Sequence, residues 1–337
     1  MSPARMSGDL NQALLDIADA DERLYFLGED IADPYGGAFK VSRGLSTRHP
    51  GRVLSTPISE GAIVGVAGGL ALRGNRVVLE IMFGDFIGLC FDPLFNFVSK
   101  SVSMYGQHIE MPIVVRCPVG GQRGYGPTHS QNPQKHLVGI PHLSLFEMSP
   151  FHDNRSAFET MLALREPCVF FEDKGLYAHT RYSGGRIDDV LRYDYVDPGR
   201  NWARTFIDGL SGPDCVLIAP GGLTARAVAA MRAAMLEREV VSQLLTPARL
   251  YPLDVEPVLP LVRDAGTVCV AEDGVAGGNW GREIAGLLYE SAWGHLRGPV
   301  RLIHPACGVI PAARHLETEF SVTAETIRDA LVRSVRA

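Results

Sequence analysis

Glu60 is the residue of this chain whose surroundings most favour chemistry. It stands in the segment TPISEGAIVGVAGGLAL, directly before residues 61–72, a run that contains no polar side chain. Apolar residues on every side of a helix indicate that the helix is buried, and burial raises a carboxyl pKa. Such a group is a candidate for proton transfer. The position also has a purely structural explanation, because the helix dipole favours a carboxylate in the first turn.

Phe86 and His129 are two further candidates. Phe86 in EIMFGDFIG follows a predicted strand, so its ring would lie at the carboxyl end of a parallel sheet, where a flat heterocycle could stack on it. A core phenylalanine is the plainer interpretation. His129 lies in the glycine-rich loop VGGQRGYGPTHSQNP, beside Thr128, Ser130 and Gln131. These side chains can hydrogen-bond a small polar substrate, and loops beyond strand ends often carry function.

The predicted helix after Glu60 contains four glycines, at positions 61, 65, 68 and 69. Glycine weakens a helix intrinsically. We therefore expect another backbone, or another subunit, to pack closely against this helix.

The order of the elements predicts an α/β fold with two domains. Strands such as YFLGED, RVVLEIMF and MPIVVRCP alternate with helices in the first half of the chain. Apolar runs of this kind indicate a parallel sheet that is covered on both faces. The pattern restarts at CVLIAPGG, after a polar stretch rich in Gly and Pro that is typical of a linker. We expect two parallel-sheet α/β domains, at residues 1–185 and 213–337, with a linker at 186–212.

The composition excludes some classes of protein. The 337 residues are 46% hydrophobic and 21% charged, as in an ordinary globular enzyme, and the net charge of -6 gives no reason to expect nucleic acid. The N-terminal segment lacks the apolar core of a signal peptide, and no apolar stretch is long enough to span a bilayer, so a cytoplasmic location is expected. The six cysteines are far apart in the sequence and are expected to be buried free thiols.

In the segments around the candidate residues, the chain resembles the β subunit of the first component of the 2-oxo acid dehydrogenases, the pyruvate, branched-chain and acetoin dehydrogenase group. The matching motifs are LGED (27–30), YGGAFKVSRGL (35–45), RVLSTPISEGAIVG (52–65), EIMFGDFI (80–87), PIVVRCPVGG (112–121), THSQ (128–131), YPLD (251–254) and AEDGVAGGNWGREIA (271–285). The resemblance covers nearly the whole chain. It implies a thiamine-diphosphate-binding pyrimidine domain followed by a transketolase C-terminal-like domain.

The resemblance also implies a role for each candidate residue. Glu60 would hydrogen-bond the N1′ nitrogen of the thiamine aminopyrimidine, and a proton shared there favours the imino tautomer that activates the thiazolium C2. Phe86 would stack on the aminopyrimidine, with Met82 and Ile58 beside it. His129 would assist the substrate or the acyl transfer to a lipoyl arm. Glu29 resembles an acidic residue of a relay between two cofactor sites.

A partner chain is implied as well. In this superfamily a Gly-Asp-Gly segment holds the diphosphate and Mg²⁺, whereas this chain has only Gly8-Asp9 and Gly84-Asp85, neither in that context. The resemblance therefore implies an α subunit for the diphosphate side, in an α2β2 heterotetramer. It also implies a small 2-oxo acid substrate and a lipoyl-bearing acyltransferase as a further partner.

Two segments depart from the family pattern. Residues 164–167 read LREP where many relatives have a longer Arg-Asp-x-x-Pro turn, which contributes to a monovalent cation site. The sequence GPTH at 126–129 is similar to transketolases. These departures leave the cation site and the identity of the 2-oxo acid open.

Two alternative functions follow from the same residues. One is half of a split transketolase-type enzyme that transfers a ketol group. Its sugar-phosphate substrates would need several basic anchors, and Arg123 is the only cation in the glycine-rich loop. The other is a non-catalytic partner with the same fold. The joint presence of Glu60, Phe86 and His129 argues against that alternative.

Overall fold

The computed structural model describes residues 5–336. They form two compact units. The first comprises the residues up to Val119 together with His136–Met148 and His152–Arg181, and the second comprises Gly120–Lys135, Ser149–Phe151 and the residues from Tyr182 onward.

The first unit contains a parallel sheet. Its strands are β1 (Leu24–Glu29), β2 (Val53–Thr56), β3 (Arg76–Glu80), β4 (Ile113–Val119), β5 (Ser144–Glu147) and β6 (Cys168–Asp173). They pair in the order β5-β6-β4-β3-β1-β2, with every pair parallel. All residues of β4 and β6 are buried, which is the pattern expected of central strands covered on both faces.

The helices of the first unit are α1 (Met6–Ala20), α2 (Leu45–Arg48), α3 (Glu60–Leu72), α4 (Ser99–Ser101) and α5 (Asn154–Ala163). A 3₁₀ helix spans Gly84–Cys90, a π-helical stretch spans Pro93–Val98, and a second 3₁₀ helix spans Leu176–Ala178. The apolar sides of α1 and α5 belong to one hydrophobic core with strand residues such as Phe26, Val78 and Phe170. This core supports strand β1, which ends at the candidate residue Glu29.

The second unit contains a mixed sheet. Its strands are β7 (Leu191–Tyr195), β8 (Trp202–Ile207), β9 (Cys215–Ile218), β10 (Ser242–Pro247), β12 (Val268–Ala271) and β13 (Arg301–Ile303), and β11 (Arg249–Tyr251) follows β10 in the chain. The order is β13-β12-β9-β10-β8-β7. The helices are α6 (Thr224–Arg238), α7 (Leu259–Ala265), α8 (Trp280–Ala292), α9 (Arg314–Phe320) and α10 (Ala324–Arg336). The predicted α/β class with two sheets is confirmed.

The segment at 186–212, expected to be a linker, contains strands β7 and β8. They pair with each other, and β8 pairs with β10, both in the antiparallel sense. Along β8 buried and half-buried residues alternate over its last four positions. Strands of this kind bury only one face, so their sequence is more polar than that of a central parallel strand.

Helix α3 differs from the expected helix that is buried on all sides. Ile63, Val64 and Ala67 are buried, whereas Val66 and Leu72 are 51% and 46% exposed. The close approach predicted from the glycines is present at two of them. A Cβ on Gly68 would lie 2.3 Å from the Phe97 ring, and one on Gly61 would lie 3.0 Å from the Leu89 carbonyl oxygen. A Cβ on glycine 65 or 69 would meet nothing within 4 Å.

The cysteines follow the expectation except at one position. Five are buried, and Cys307, in the loop after β13, is exposed. Within residues 5–336, no helix is long and apolar enough to cross a membrane.

Candidate active site

Glu60 is the first residue of α3 and lies directly after the exposed residues Pro57–Ser59. Strand β2 ends at Thr56, and the chain turns into the helix without a side-chain cap at Ser59. The Glu60 side chain is only 5% exposed. The helix dipole stabilises a negative charge at this position, so the fold can hold a carboxylate here even though water is largely excluded.

Glu29 lies at the end of β1, close to Glu60. It is 6% exposed. Burial and the neighbouring Glu60 carboxylate raise the pKa of Glu29 above its ordinary value, and a hydrogen bond from the Ser59 backbone N–H opposes this in part. Within residues 5–336, no donor reaches Oε1 of Glu29. The structure thus brings two buried acids together and leaves one of their oxygens without a hydrogen bond.

Cys90 borders the same acids. It is the last residue of the 3₁₀ helix Gly84–Cys90, which packs against the first turn of α3 through the close approach of Gly61 to Leu89. Burial raises the pKa of the Cys90 thiol to about 12, and the charges of Glu60 and Glu29 contribute to the shift. A thiol with so high a pKa is not a nucleophile at neutral pH, so the chemistry of this place rests on the carboxyl groups.

Phe86 belongs to that same 3₁₀ helix, and its ring is half-buried. It makes an edge contact with the Phe83 ring, at 6.1 Å between centroids. Phe86 is therefore only partly buried, unlike a core phenylalanine. Met82 is also half-buried. Ile58 is 83% exposed, which is unusual for a large aliphatic side chain next to a buried acid.

His129 belongs to the second unit. Its Nδ1 lies 3.1 Å from the Thr128 hydroxyl, and its backbone N–H donates to the Gly126 carbonyl. The base of the loop is closed by a hydrogen bond from Gly120 to Gln131. The loop is further held by Glu317 of α9, which the sequence did not single out. Its carboxylate accepts hydrogen bonds from the backbone N–H groups of residues 122 and 124, at 2.7 and 3.0 Å.

A buried ionic network beside the acid pair was also missed at the level of sequence. Arg116 of β4 donates to Oε2 of Glu80 at 2.6 Å and to both carboxylate oxygens of Glu172, at 2.7 and 2.9 Å. The Tyr177 hydroxyl donates to Glu172 at 2.7 Å, and the Ser42 hydroxyl to Glu80 at 3.2 Å. One signal was available, because a single arginine interrupts the apolar strand IVVRCPV. A buried arginine requires acidic partners.

The charges of this network shift the pKa values of its members. Burial alone would lower the pKa of Arg116, but the adjacent Glu172 and Glu80 raise it well above its ordinary value. Burial, with the charge of Glu172, raises the pKa of the Tyr177 hydroxyl. Arg116 therefore remains a cation and Tyr177 a neutral donor at any physiological pH. Among residues 5–336, no group of three or more His, Cys, Asp or Glu side chains could hold a metal ion.

Two family models match the chain. The transketolase pyrimidine-binding domain matches residues 3–180, and the transketolase C-terminal domain matches residues 208–327. The first match includes Glu29, Glu60 and Phe86, and it also spans His129. The second includes Glu317.

Curated relatives match over nearly the whole length. The β subunit of the acetoin:2,6-dichlorophenolindophenol oxidoreductase of Cupriavidus necator is 30% identical, over 97% of this chain and 96% of that protein. The pyruvate dehydrogenase E1 component β subunit of Leifsonia xyli subsp. xyli is 30% identical, over 98% and 93%. The mitochondrial 2-oxoisovalerate dehydrogenase β subunit 2 of Arabidopsis thaliana is 31% identical, over 97% and 87%.

Solved structures share the fold at lower identity. A split-gene transketolase described as an inactive β4 tetramer superposes with a TM-score of 0.73, at 18% identity and 99% coverage of both chains. A transketolase from Pichia stipitis gives a TM-score of 0.70 at 12% identity, and this chain covers 46% of it. Identity this low shows the fold alone, whereas the relatives at about 30% identity are named as dehydrogenase or oxidoreductase β subunits. The chain belongs to the family of 2-oxo acid dehydrogenase β subunits, oxidoreductases with transketolase-like pyrimidine-binding and C-terminal domains.

Proposed function

We propose that this chain is the β subunit of a thiamine-diphosphate-dependent enzyme that decarboxylates a small 2-oxo acid, and that Glu60 is its cofactor-activating carboxylate. The observation that carries the proposal is the pair of buried acids, Glu60 and Glu29, at the start of α3 and the end of β1. Two carboxyl groups that are buried side by side are costly for stability. Such an arrangement is characteristic of sites that handle protons.

The described residues fit the pyrimidine half of this cofactor. Nearly all buried polar atoms in proteins have a hydrogen-bond partner, so the unpartnered Oε1 of Glu29 suggests a partner from outside the chain. The half-buried Phe86 is proposed as the aromatic residue on which the aminopyrimidine stacks. Met82 and the exposed Ile58 are proposed as the apolar residues beside that ring system.

The protein side of the mechanism is proton management by these acids. Thiamine diphosphate, when bound, supplies the carbon nucleophile and the electron sink for decarboxylation. Glu60 would hold a proton between its carboxyl group and the pyrimidine ring nitrogen. Glu29, whose pKa is raised by burial and by Glu60, can keep a proton at a higher pH than an exposed glutamate and so pass one on. His129 would hydrogen-bond the carboxylate or carbonyl group of the substrate.

An α subunit is proposed to complete the site. The chain has no Gly-Asp-Gly segment, so the diphosphate and Mg²⁺ are assigned mainly to that partner. Exposed apolar side chains in the first unit provide a surface for it, namely Ile58, Val66, Leu72, Leu89 and Phe91. Exposed apolar side chains are candidates for a subunit interface. An α2β2 heterotetramer, and a lipoyl-bearing acyltransferase as the acceptor of the acyl group, complete the proposal.

The test is the variant Glu60→Gln in the assembled α–β enzyme, with thiamine-dependent decarboxylation of 2-oxo acids as the measurement. We expect kcat to fall by roughly 10²- to 10⁴-fold, as for loss of an acid–base group. The control is Glu22→Gln, which changes an exposed glutamate of the same unit. Full activity of the Glu60 variant would refute the assigned role. Turnover of ketose phosphates instead of 2-oxo acids would favour the split transketolase, and inactivity with every α subunit would favour the non-catalytic alternative.

A further inference from the structure

Helix α9 contributes a charge to the buried part of the second unit, and none of its apolar side chains is fully buried. Of its seven residues, Glu317 alone is fully buried, with 0% of its side chain exposed. Short helices normally pack through apolar residues, and a buried carboxylate is costly unless it is hydrogen-bonded. The buried Glu317 carboxylate must therefore have hydrogen-bond donors around it.

Both Glu317 oxygens are used to hold the glycine-rich loop. Oε1 accepts from the Gln122 N–H at 2.7 Å, and Oε2 accepts from the Gly124 N–H at 3.0 Å. The carboxylate also lies against Gly121, where a Cβ would come within 2.7 Å of Oε1. The Glu317 side chain thus contacts the loop at Gly121, Gln122 and Gly124.

The loop needs such an anchor because its backbone is strained at Gln122. This residue has φ +65°, a left-handed conformation that is uncommon for a residue with a Cβ. Glycines 120, 124 and 126 also have positive φ, which glycine adopts at no steric cost. A non-glycine residue in this conformation persists only where surrounding contacts hold it. Hydrogen bonds to a charged acceptor are stronger than neutral ones, so the Glu317 carboxylate is well suited to hold them.

The held segment continues directly into His129. The loop is closed at its base from Gly120 to Gln131, and the His129 N–H bonds back to Gly126. We infer that Glu317 is a positioning residue: its two backbone hydrogen bonds set the conformation of residues 120–126 and thereby the place of His129. The catalytic part of this inference rests on the proposed role of His129, whereas the structural part does not.

Glu317→Gln is the main test. Glutamine is nearly isosteric but offers one acceptor, and its amide group would face a second donor, so one of the two hydrogen bonds must break. The matched control is Glu319→Gln, two residues further along α9 and exposed. A second variant, Gly121→Ala, keeps the charge but places a methyl group where Glu317 lies. It preserves the test if Glu317→Gln does not fold.

Two readouts are needed on the assembled enzyme. The first is structural: amide hydrogen exchange over residues 120–131, and tryptic cleavage after Arg123, which is exposed in this loop. We expect both to rise several-fold in Glu317→Gln and in Gly121→Ala, and to stay at the wild-type level in Glu319→Gln. The second is kinetic: we expect KM for the 2-oxo acid to rise about tenfold, the effect of losing about one charged hydrogen bond, with the affinity for thiamine diphosphate unchanged.

The outcomes are separable. Wild-type exchange and cleavage in both loop variants would overturn the inference. If exchange rose and His129→Ala impaired activity, but KM of Glu317→Gln matched that of Glu319→Gln, the inference would also be overturned, because the loop that Glu317 holds would then not set the place of His129. If His129→Ala kept wild-type KM and kcat, the proposed role of His129 would fail, while the exchange result would still decide whether Glu317 holds the loop.

Discussion

The first unit contains two neighbouring groups of buried acids whose surroundings differ. Glu80 and Glu172 share Arg116, and the Ser42 and Tyr177 hydroxyls supply further donors. The charge of Glu60 acts on Glu29, and Oε1 of Glu29 has no donor within the described chain. Glu29 and Glu80 end the adjacent parallel strands β1 and β3. The two groups therefore share a sheet edge and a similar degree of burial, and they differ in whether their charges are balanced.

This difference separates acids that support the fold from acids that are available for chemistry. A buried carboxylate with a full set of donors is a fixed structural element, although it need not add net stability. A buried carboxylate without them destabilises the protein, and such groups concentrate at functional sites. Substitutions that remove single members of each group test whether the two groups contribute differently to stability and activity.

Arg116→Met should have the largest effect on stability. The change leaves Glu80 and Glu172 buried without their cation, and breaking a buried ion pair in this way costs about 3–5 kcal/mol. Urea unfolding of the purified protein measures the loss. Arg76→Met, which removes a partly exposed pair with Asp21, is the control and should cost at most about 1 kcal/mol. Equal losses in the free energy of unfolding would mean that the buried network stabilises the fold no more than a partly exposed ion pair does.

Tyr177→Phe should have a smaller effect of the same sign. It removes only the hydroxyl that donates to Glu172, while both Arg116 bonds remain, and the expected loss is about 1.5–3 kcal/mol for a hydrogen bond to a charged group. Tyr195→Phe removes a hydroxyl that donates to the neutral Phe151 carbonyl and should cost less. If the Tyr195 variant loses more, the charge of Glu172 is not what makes the Tyr177 bond important.

Glu29→Gln should have the smallest effect and the opposite sign. Because the pKa of Glu29 is raised in the folded protein, its contribution to stability is complete below the unfolded pKa of about 4.3 and is lost as the pH rises through the folded value. The variant should therefore be more stable than the wild type at neutral pH, by on the order of 1 kcal/mol, and the gain should vanish towards pH 4.

Thermal unfolding of the assembled enzyme at pH 4.5 and pH 8 tests this expectation, with Glu22→Gln as the exposed control. A gain of the same size at both pH values would show that ionisation of Glu29 is not its source. Activity of the Glu29→Gln variant, measured in parallel, should fall. At a site where a functional residue destabilises the fold, replacing that residue raises stability and lowers activity.

The sequence predicted the features that depend on local pattern. The burial of Glu60 follows from the apolar run behind it, and the parallel strands of the first unit follow from their apolar composition. The Arg116 network was not predicted, because it depends on strand order. Glu80 and Arg116 are register partners across β3 and β4, and β6, which carries Glu172, pairs with β4 although β5 lies between them in the chain. Sequence pattern gives neither register nor order.

Glu317 was missed for a related reason. It lies 195 residues from Gln122, and a glutamate in a short polar helix has no local signal of burial. Strands β7 and β8 lie in the segment expected to be a linker because its sequence is polar and is interrupted by Gly and Pro. The contacts of Arg116 and Glu317 both join segments that are distant along the chain, and local periodicity carries no information about them.

The outward face of α3 has a consequence for how the chain can evolve. Outside their own helix turn, glycines 65 and 69 have no atom of the described residues within 4 Å of the Cβ position, and each costs up to about 1 kcal/mol of helix stability relative to alanine. Selection for the stability of this chain alone would replace them. On the proposed assembly, a larger side chain there would be neutral or beneficial in the separate subunit and harmful only after association. Variants screened for stability as isolated chains would therefore accumulate on α3 the very changes that the complete enzyme cannot tolerate.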